Sequence, residues 1–458
     1  MNVEIHSQTL YSQYRVPGAD YRSASDVIRL IRDACCGRPN GYKFMPSYKA
    51  GMWDGYIHLS KGNSFPTGLL GRVTEILEQA GHDVMLHRQY SLPVSRPDKL
   101  HSVMFPGIVL RDYQLDAARG LLEAGRGVAA MATNSGKTEV MAAIAAVVEC
   151  PVLILTTKKD ILHQTVDRIG LRLGEGCGIV GDGTFDVSRN RITLGMVQTL
   201  VSRLDDRVTQ SWLGTIGCVM YDEVHHQASK TSQKVMFAIP AALRFGFSGT
   251  PSGNELSNLI LEAATGPIVV SVSNTDLIES GVSARPTVQM YLEDGYDGPS
   301  AKFQAAYRDG IVNNPSRNAR IKSILARGDF DSALVLVDWV EHGRKLADDG
   351  ALYVDGSNSA EERKEALESL RAGGSVVVAT PIFDEGVDVP AVDLIILAGG
   401  GKARRRLLQR IGRGMRQKPS GKLTVMDFVD RGNKYLARHS EARRRVYESE
   451  GFEVVGVK

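Results

Sequence analysis

Short apolar runs punctuate this chain, each separated from the next by a stretch of helical periodicity. Residues 128–131, 152–155 and 218–221 are such runs in the first half, with a helix predicted over 139–148. Residues 333–337, 351–354, 376–379 and 394–397 repeat the arrangement in the second half. A run that is apolar at every position predicts a strand buried on both faces. Strands that alternate with helices predict a parallel sheet covered by helices. Ser359 followed by Glu362 is a capping-box signature, opening a helix that runs to about Arg371. The pattern yields two α/β blocks, 105–266 and 282–458. Ahead of them, 1–98 reads as a small α+β domain that carries many of the aromatics. The polar passage Pro93, Val94, Ser95, Arg96, Pro97, Asp98 closes it and reads as a linker.

Composition narrows the class. At 458 residues the chain is too long for one hydrophobic core, which supports the division into domains. With 43% hydrophobic and 23% charged residues it has an ordinary globular composition. No apolar run approaches the roughly 18 residues a membrane span needs, so no membrane partner is expected. The stretch from Met1 to His6 lacks the basic and apolar regions of a secretory signal. The five cysteines (Cys35, Cys36, Cys150, Cys177, Cys218) are odd in number and form no Cys-x-x-Cys pair. That argues against structural zinc and a disulfide framework, and for a reducing cytosol. The net charge of +3 hides an uneven distribution. Residues 401–458 hold 16 Lys+Arg against 6 Asp+Glu, while the remainder holds 39 against 46. The basic runs Arg404, Arg405, Arg406 and Arg443, Arg444, Arg445 read either as solvated helix faces or as a polyanion footprint.

The chemistry lies in motifs of fixed order. Strand 128–131 is followed by a turn ending Asn134, Ser135, Gly136, Lys137, Thr138 and then by a helix. Such a turn presents backbone N–H groups to phosphates at a helix N-terminus. Lys137 would reach the outer phosphates and the Thr138 hydroxyl would ligate Mg²⁺. Met131 stands where a full phosphate-loop signature has its first glycine. Asn134 suits a left-handed backbone better than most residues. Asp222 and Glu223 end the strand 218–221, where a parallel sheet opens its ligand crevice. Asp222 is assigned to the Mg²⁺ shell, and Glu223 to orienting and activating the attacking water. His225 and His226 have no Cys or further His at ligand spacing, which makes zinc a poor reading and a coupling role for His225 the better one. The Gln114 amide, about two dozen residues ahead of the loop, could both donate to and accept from an adenine edge.

In this order the motifs resemble those of superfamily 2 helicases of the DExH type over about 110–430. The resemblance implies two tandem RecA-like domains with ATP and Mg²⁺ in the cleft between them. It implies that Thr157 and Lys158 touch a nucleic-acid backbone, as does Thr380. Ser248 and Thr250 would link hydrolysis to domain movement, with Gln409 in the last motif. Gly386 and Asp388 would lie near the ribose. Arg413 and Arg416 would be arginine fingers, acting once the domains close. In the N-terminal part, Phe44, Met45, Pro46, Ser47, Tyr48, Lys49, then Trp53, Asp54, Gly55, Tyr56, Ile57, and Gly68, Leu69, Leu70 resemble UvsW-type phage helicases. That family acts on branched DNA, which implies a DNA partner, a protein acting as a monomer, and work in the host cytoplasm. Lys49 and Trp53 are its DNA-contact candidates. The aromatics could equally build the core of a small domain.

Three functions therefore stand open. One is an ATP-driven DNA helicase or translocase that remodels branched DNA in recombination, repair or replication. The second keeps the motor but serves RNA or a restriction system. The third is a DNA-binding or annealing protein whose ATP site only regulates affinity.

Overall fold

The computed structural model describes every residue except 102–104, 106–108, 188–189, 251–252, 294–301, 348–349, 382–391, 413, 417–421 and 457–458. Packing divides the chain into two compact units. The first is Met1–Ala132 with Gly136–Val272; the second is Ser273–Lys458 with the short piece Thr133–Ser135.

The first unit opens with a mixed four-stranded sheet. Strand β1 (Asn2–Ser7) runs antiparallel to β2 (Tyr11–Arg15), while β3 (Cys36–Gly37) and β4 (Ile57–His58) form a separate antiparallel pair. Strands β5 (Ser64–Pro66) and β6 (Asp83–Arg88) complete the order β5-β2-β1-β6. Alternation sorts the side chains: Val3, Ile5, Ser12 and Tyr14 face inward, as a sheet with one wet face requires. The helices Tyr21–Ala34 and Leu70–Gln79 cover that face with Val27, Ile31, Val73 and Leu77. The same core takes in Leu259 and Ala263 of the helix Glu255–Thr265. Gly68 permits this approach, because a Cβ there would stand 2.0 Å from the Glu262 carbonyl oxygen. Arg72 closes the edge with an ion pair to Glu262 at 2.7 Å.

Eight strands form the main sheet of this unit among the described residues. They are β7 (Arg126–Met131), β8 (Val152–Thr156), β9 (Gly178–Gly181), β10 (Thr184–Phe185), β11 (Ile192–Met196), β12 (Cys218–Asp222), β13 (Leu243–Ser248) and β14 (Ile268–Val272). Their order is β10-β9-β11-β8-β12-β13-β7-β14, and every ladder is parallel except β9 with β10. Strands β8 and β13 are buried at every position, which accounts for runs without alternation. The passage expected to be a linker is pinned instead. The Arg96 amide donates to the Val147 carbonyl at 2.8 Å, and the Glu149 amide to the Val94 carbonyl at 2.8 Å. Backbone groups make these bonds, so side-chain composition did not announce them.

The second unit is a seven-stranded sheet among the described residues, parallel throughout. Its strands are β15 (Pro286–Glu293), β16 (Ala333–Leu336), β17 (Leu352–Val354), β18 (Val376–Ala379), β19 (Leu394–Leu397), β20 (Leu423–Asp430) and β21 (Glu453–Val455), in the order β17-β18-β16-β19-β20-β15-β21. The capping box opens the helix Ala360–Ala372 as expected: the Ser359 amide donates to Glu362 at 2.7 Å and the Glu362 amide to Ser359 Oγ at 3.2 Å. The C-terminal basic run divides into one buried arginine and two exposed ones. Arg443 is buried and donates to Asp427 at 2.7 and 2.9 Å, while Arg444 and Arg445 pair along the helix Lys434–Ser449 with Glu448 and Glu441. Among the described residues no helix is long and apolar enough to cross a membrane.

Candidate active site

Parallel strands deliver their C-terminal ends to one edge of a sheet, and register decides what stands there together. Asp222 at the end of β12 pairs with Phe247 of β13, Ser248 pairs with Ala130 of β7, and Tyr221 pairs with Leu155 of β8. Asp222, Ser248, the loop after Met131 and the pair Thr157, Lys158 therefore share this edge. The helix Lys137–Val147 starts directly after Gly136, so its first N–H groups open towards the loop and form a ready anion seat. Both turn residues that need a left-handed backbone have it: Asn134 at φ 69° and Gly136 at φ 81°. The Gln114 side chain is buried against this turn. Its Oε1 accepts from the Arg111 amide at 2.9 Å, capping the helix Asp112–Ala124. Its Nε2 lies 2.2 Å from where a Cβ on Gly136 would stand.

Glu223 is strained as well. It sits at φ 53°, ψ 50°, a left-handed conformation that costs a non-glycine residue roughly 1–3 kcal/mol. The turn aims its carboxylate at Lys137, whose Nζ is 4.0 Å from Oε1, and at His225, whose Nδ1 is 3.1 Å from Oε2. His225 Nδ1 also lies 3.0 Å from Ser248 Oγ, and Ser248 Oγ accepts from the Thr250 amide at 3.2 Å. A polar chain thus runs Lys137, Glu223, His225, Ser248, Thr250 across the strand ends. Because a carboxylate only accepts, Nδ1 is assigned the imidazole proton.

The two acids are set apart electrostatically. Burial, with the Glu223 charge beside it, pushes the Asp222 carboxyl up to about 7, against the pull of Lys137. Burial acts on Glu223 too, but Lys137, His225 and His226 override it and hold that carboxyl at about 2. Below neutrality the pair therefore carries close to one negative charge, and a divalent cation next to Asp222 would displace the proton that Asp222 retains. Among the described residues no three or more His, Cys, Asp or Glu side chains gather into a metal cage. Mg²⁺ fits such a site, because it takes one or two protein oxygens and completes its shell with phosphates and water.

Three family models match the chain in succession. The DNA helicase UvsW N-terminal model covers 11–87, the type III restriction enzyme res subunit model 107–253, and the helicase conserved C-terminal domain model 316–418. The chain is 25% identical to the ATP-dependent DNA helicase uvsW of Enterobacteria phage T4, over 99% of each protein. The DNA 3'-5' translocase XPB2 of Sulfurisphaera tokodaii is also 25% identical, over 74% of this chain and 84% of the relative. The solved structure of Saccharomyces cerevisiae Dbp5 bound to RNA and ADP BeF3 superposes with a TM-score of 0.56 at 14% identity, covering 76% of this chain and 90% of that one, which bears on the fold alone. The three matches in succession, with the full-length likeness to the phage helicase, support a superfamily 2 helicase of the UvsW type.

The remaining expected helicase residues have varied surroundings. Lys158 stands at the N-cap position of the helix Lys159–Leu173 without a side-chain cap bond, and the Thr157 carbonyl accepts from Gln198 at 3.0 Å. In the second unit Thr380 follows β18 directly and is buried, its amide donating to the Val354 carbonyl at 3.1 Å. Gln409 lies on the helix Arg404–Gly412, and Arg416 forms a bridge with Ser283. Gly386, Asp388 and Arg413 lie outside the described residues. Sequence reasoning missed Asp338, at the end of β16. It accepts from Arg410 at 2.8 Å and from the Tyr307 hydroxyl at 2.9 Å, anchoring the helix of the last motif. The signal available was Arg410 itself, within that motif. At the N-terminus Lys49 is exposed, whereas Trp53 is half-buried and donates through Nε1 to the Tyr56 carbonyl at 2.7 Å.

Proposed function

We propose that this helicase is an ATP-driven DNA translocase that remodels branched DNA, by branch migration, fork regression, unwinding or annealing. The observation that carries the reading is the line from Lys137 through Glu223 and His225 to Ser248. In this reading Asn134, Ser135, Gly136, Lys137 and Thr138 hold the triphosphate, with Gln114 on the base and Gly386 and Asp388 near the ribose. Thr138 and Asp222 would hold Mg²⁺, which when bound would neutralise phosphate charge. Glu223 orients the attacking water and takes its proton. His225, Ser248, Thr250 and Gln409 transmit the change, and Arg413 and Arg416 stabilise charge on the transferring phosphoryl group.

Residues 105–266 serve as the ATP-binding domain, 282–458 as the second motor domain, and 1–98 as a DNA-binding accessory domain. Thr157, Lys158 and Thr380 grip the backbone, which makes movement sequence-independent; Lys49 and Trp53 hold duplex near the junction. The protein acts as a monomer in the cytoplasm. The relatives named as a DNA helicase and a DNA translocase support DNA as the track. ATP hydrolysis by purified protein, measured with forked DNA, linear duplex and RNA across a salt series, tests this. Strongest stimulation is expected with forks; strongest stimulation by RNA overturns it.

A further inference from the structure

We propose that residues 42–52 form a wedge that enters an opened base step of DNA, with Phe44 and Met52 as the inserting side chains. The inference rests on the DNA reading above and assigns a role to Phe44 and Met52, which that reading leaves idle. Phe44 is 79% exposed and Met52 78% exposed, unusual for large apolar side chains so near each other in sequence. Met45 and Ile57 are also exposed.

The segment is braced from behind. A 3-10 turn, Tyr42–Phe44, runs through Met45 into a single helical turn, Pro46–Lys49. That turn is tied off by the Ala50 amide on the Pro46 carbonyl at 2.9 Å and the Met52 amide on the Ser47 carbonyl at 3.0 Å. Tyr42 and Tyr48 meet edge to face, with ring centroids 4.9 Å apart. The Arg38 guanidinium lies over both Tyr42 and Tyr56, at 4.8 and 4.2 Å. Gly55, at φ +86°, is required there, since a Cβ would stand 2.7 Å from the Tyr42 ring. Tyr42, Tyr48 and Tyr56 thus spend their rings on the platform and leave Phe44 and Met52 facing water. A slack loop would fold such side chains under; a ring-packed one cannot.

Charge chooses the occupant. Lys49 Nζ lies 6.0 Å from the Phe44 ring centroid and Lys43 Nζ 5.9 Å from that of Tyr42, so one ammonium stands beside the exposed Phe44 and another beside the platform. Protein interfaces are depleted in lysine. Proteins that kink DNA combine Phe or Met insertion with Lys or Arg on the phosphates. Unstacking is least costly where a base has already lost its partner. A wedge of this kind therefore selects branch points without reading sequence.

The test places 2-aminopurine at the branch-point pair of a fork and follows its fluorescence on binding without nucleotide. Wild-type protein is expected to raise it. Phe44→Ala with Met52→Ala is expected to abolish the rise and weaken fork binding roughly 5-fold or more, as loss of one stacked base does. Phe44→Leu should retain most of the signal. Thermal melting shows whether the double variant is folded. A folded double variant that gives the wild-type fluorescence overturns the wedge. So does self-association or vesicle binding that disappears in the double variant while the fork signal persists. Wild-type ATP hydrolysis unresponsive to any DNA instead sinks the helicase reading, and the nucleotide-free fluorescence still decides the wedge by itself.

Discussion

Gln114 holds its amide nitrogen 2.2 Å from the point a Cβ on Gly136 would occupy, so the phosphate turn is closed by a glutamine that also caps its own helix. Gly136→Ala meets two obstacles, this amide and a left-handed backbone at φ 81°. Nucleotide affinity should fall at least tenfold in a titration with a fluorescent ATP analogue. Gln114→Ala in the same chain relieves only the first obstacle. The double variant should therefore bind no better than Gly136→Ala by more than a few-fold; full recovery would show that the backbone angle is irrelevant.

His225 lies against both the Glu223 carboxylate and the Ser248 hydroxyl, and in the proposed reading it links chemistry to movement. His225→Ala should keep ATP hydrolysis within about tenfold of wild type while strand displacement drops much further. Ser248→Ala should show the same split. Because the two side chains share one contact, their effects on displacement should fall short of additive. Strictly additive losses would mean that two separate routes carry the coupling.

Asp222 is a buried acid whose enclosure costs stability once it ionises. In the folded chain burial and the Glu223 charge hold its carboxyl well above the usual carboxylate range, whereas in the unfolded chain it ionises near the usual value of about 3.9. The folded state binds the extra proton between those two ionisations, so stability falls as pH rises through that window, and the full penalty remains above it. Asp222→Asn should therefore raise the melting temperature of the nucleotide-free, Mg²⁺-free protein at pH 8, and change it little at pH 4. Hydrolysis should be lost. Scanning calorimetry at the two pH values decides; a lower melting temperature at pH 8 would remove burial as the governing cause.

What could be read ahead of the structure was local. The runs 376–379 and 394–397 became β18 and β19 with the same bounds, because a strand buried on both faces leaves no polar position to blur its ends. Ser359 and Glu362 capped their helix because both partners lie within one turn. The rest depends on contacts between distant positions. Arg72 finds Glu262 at a separation of 190 residues, and Asp338 finds Arg410 at 72. Arg244 interrupts β13 yet is fully buried. It donates to the carbonyls of Ala264, Ile239 and Met236 at 2.7, 2.6 and 2.7 Å, acceptors every residue has and no sequence pattern advertises. Glu223 was legible as an acid, but its left-handed turn was not.

The basic stretch Arg443, Arg444, Arg445 shows the same limit, and it separates into two kinds of residue that can be measured. Arg443 is buried against Asp427, which also accepts from the Tyr447 hydroxyl at 2.5 Å. Burial opposes its charge, but Asp427 more than offsets this and pushes the guanidinium above its ordinary range. Asp427→Ala strands that buried charge and should destabilise the second unit by about 3–5 kcal/mol. Arg445→Ala removes an exposed pair with Glu441 on the same helix and should cost under about 0.5 kcal/mol. Urea unfolding of both variants checks the contrast. Comparable losses from the two would mean that Arg443 gains nothing from its enclosure, and the run would again qualify as a surface for polyanions.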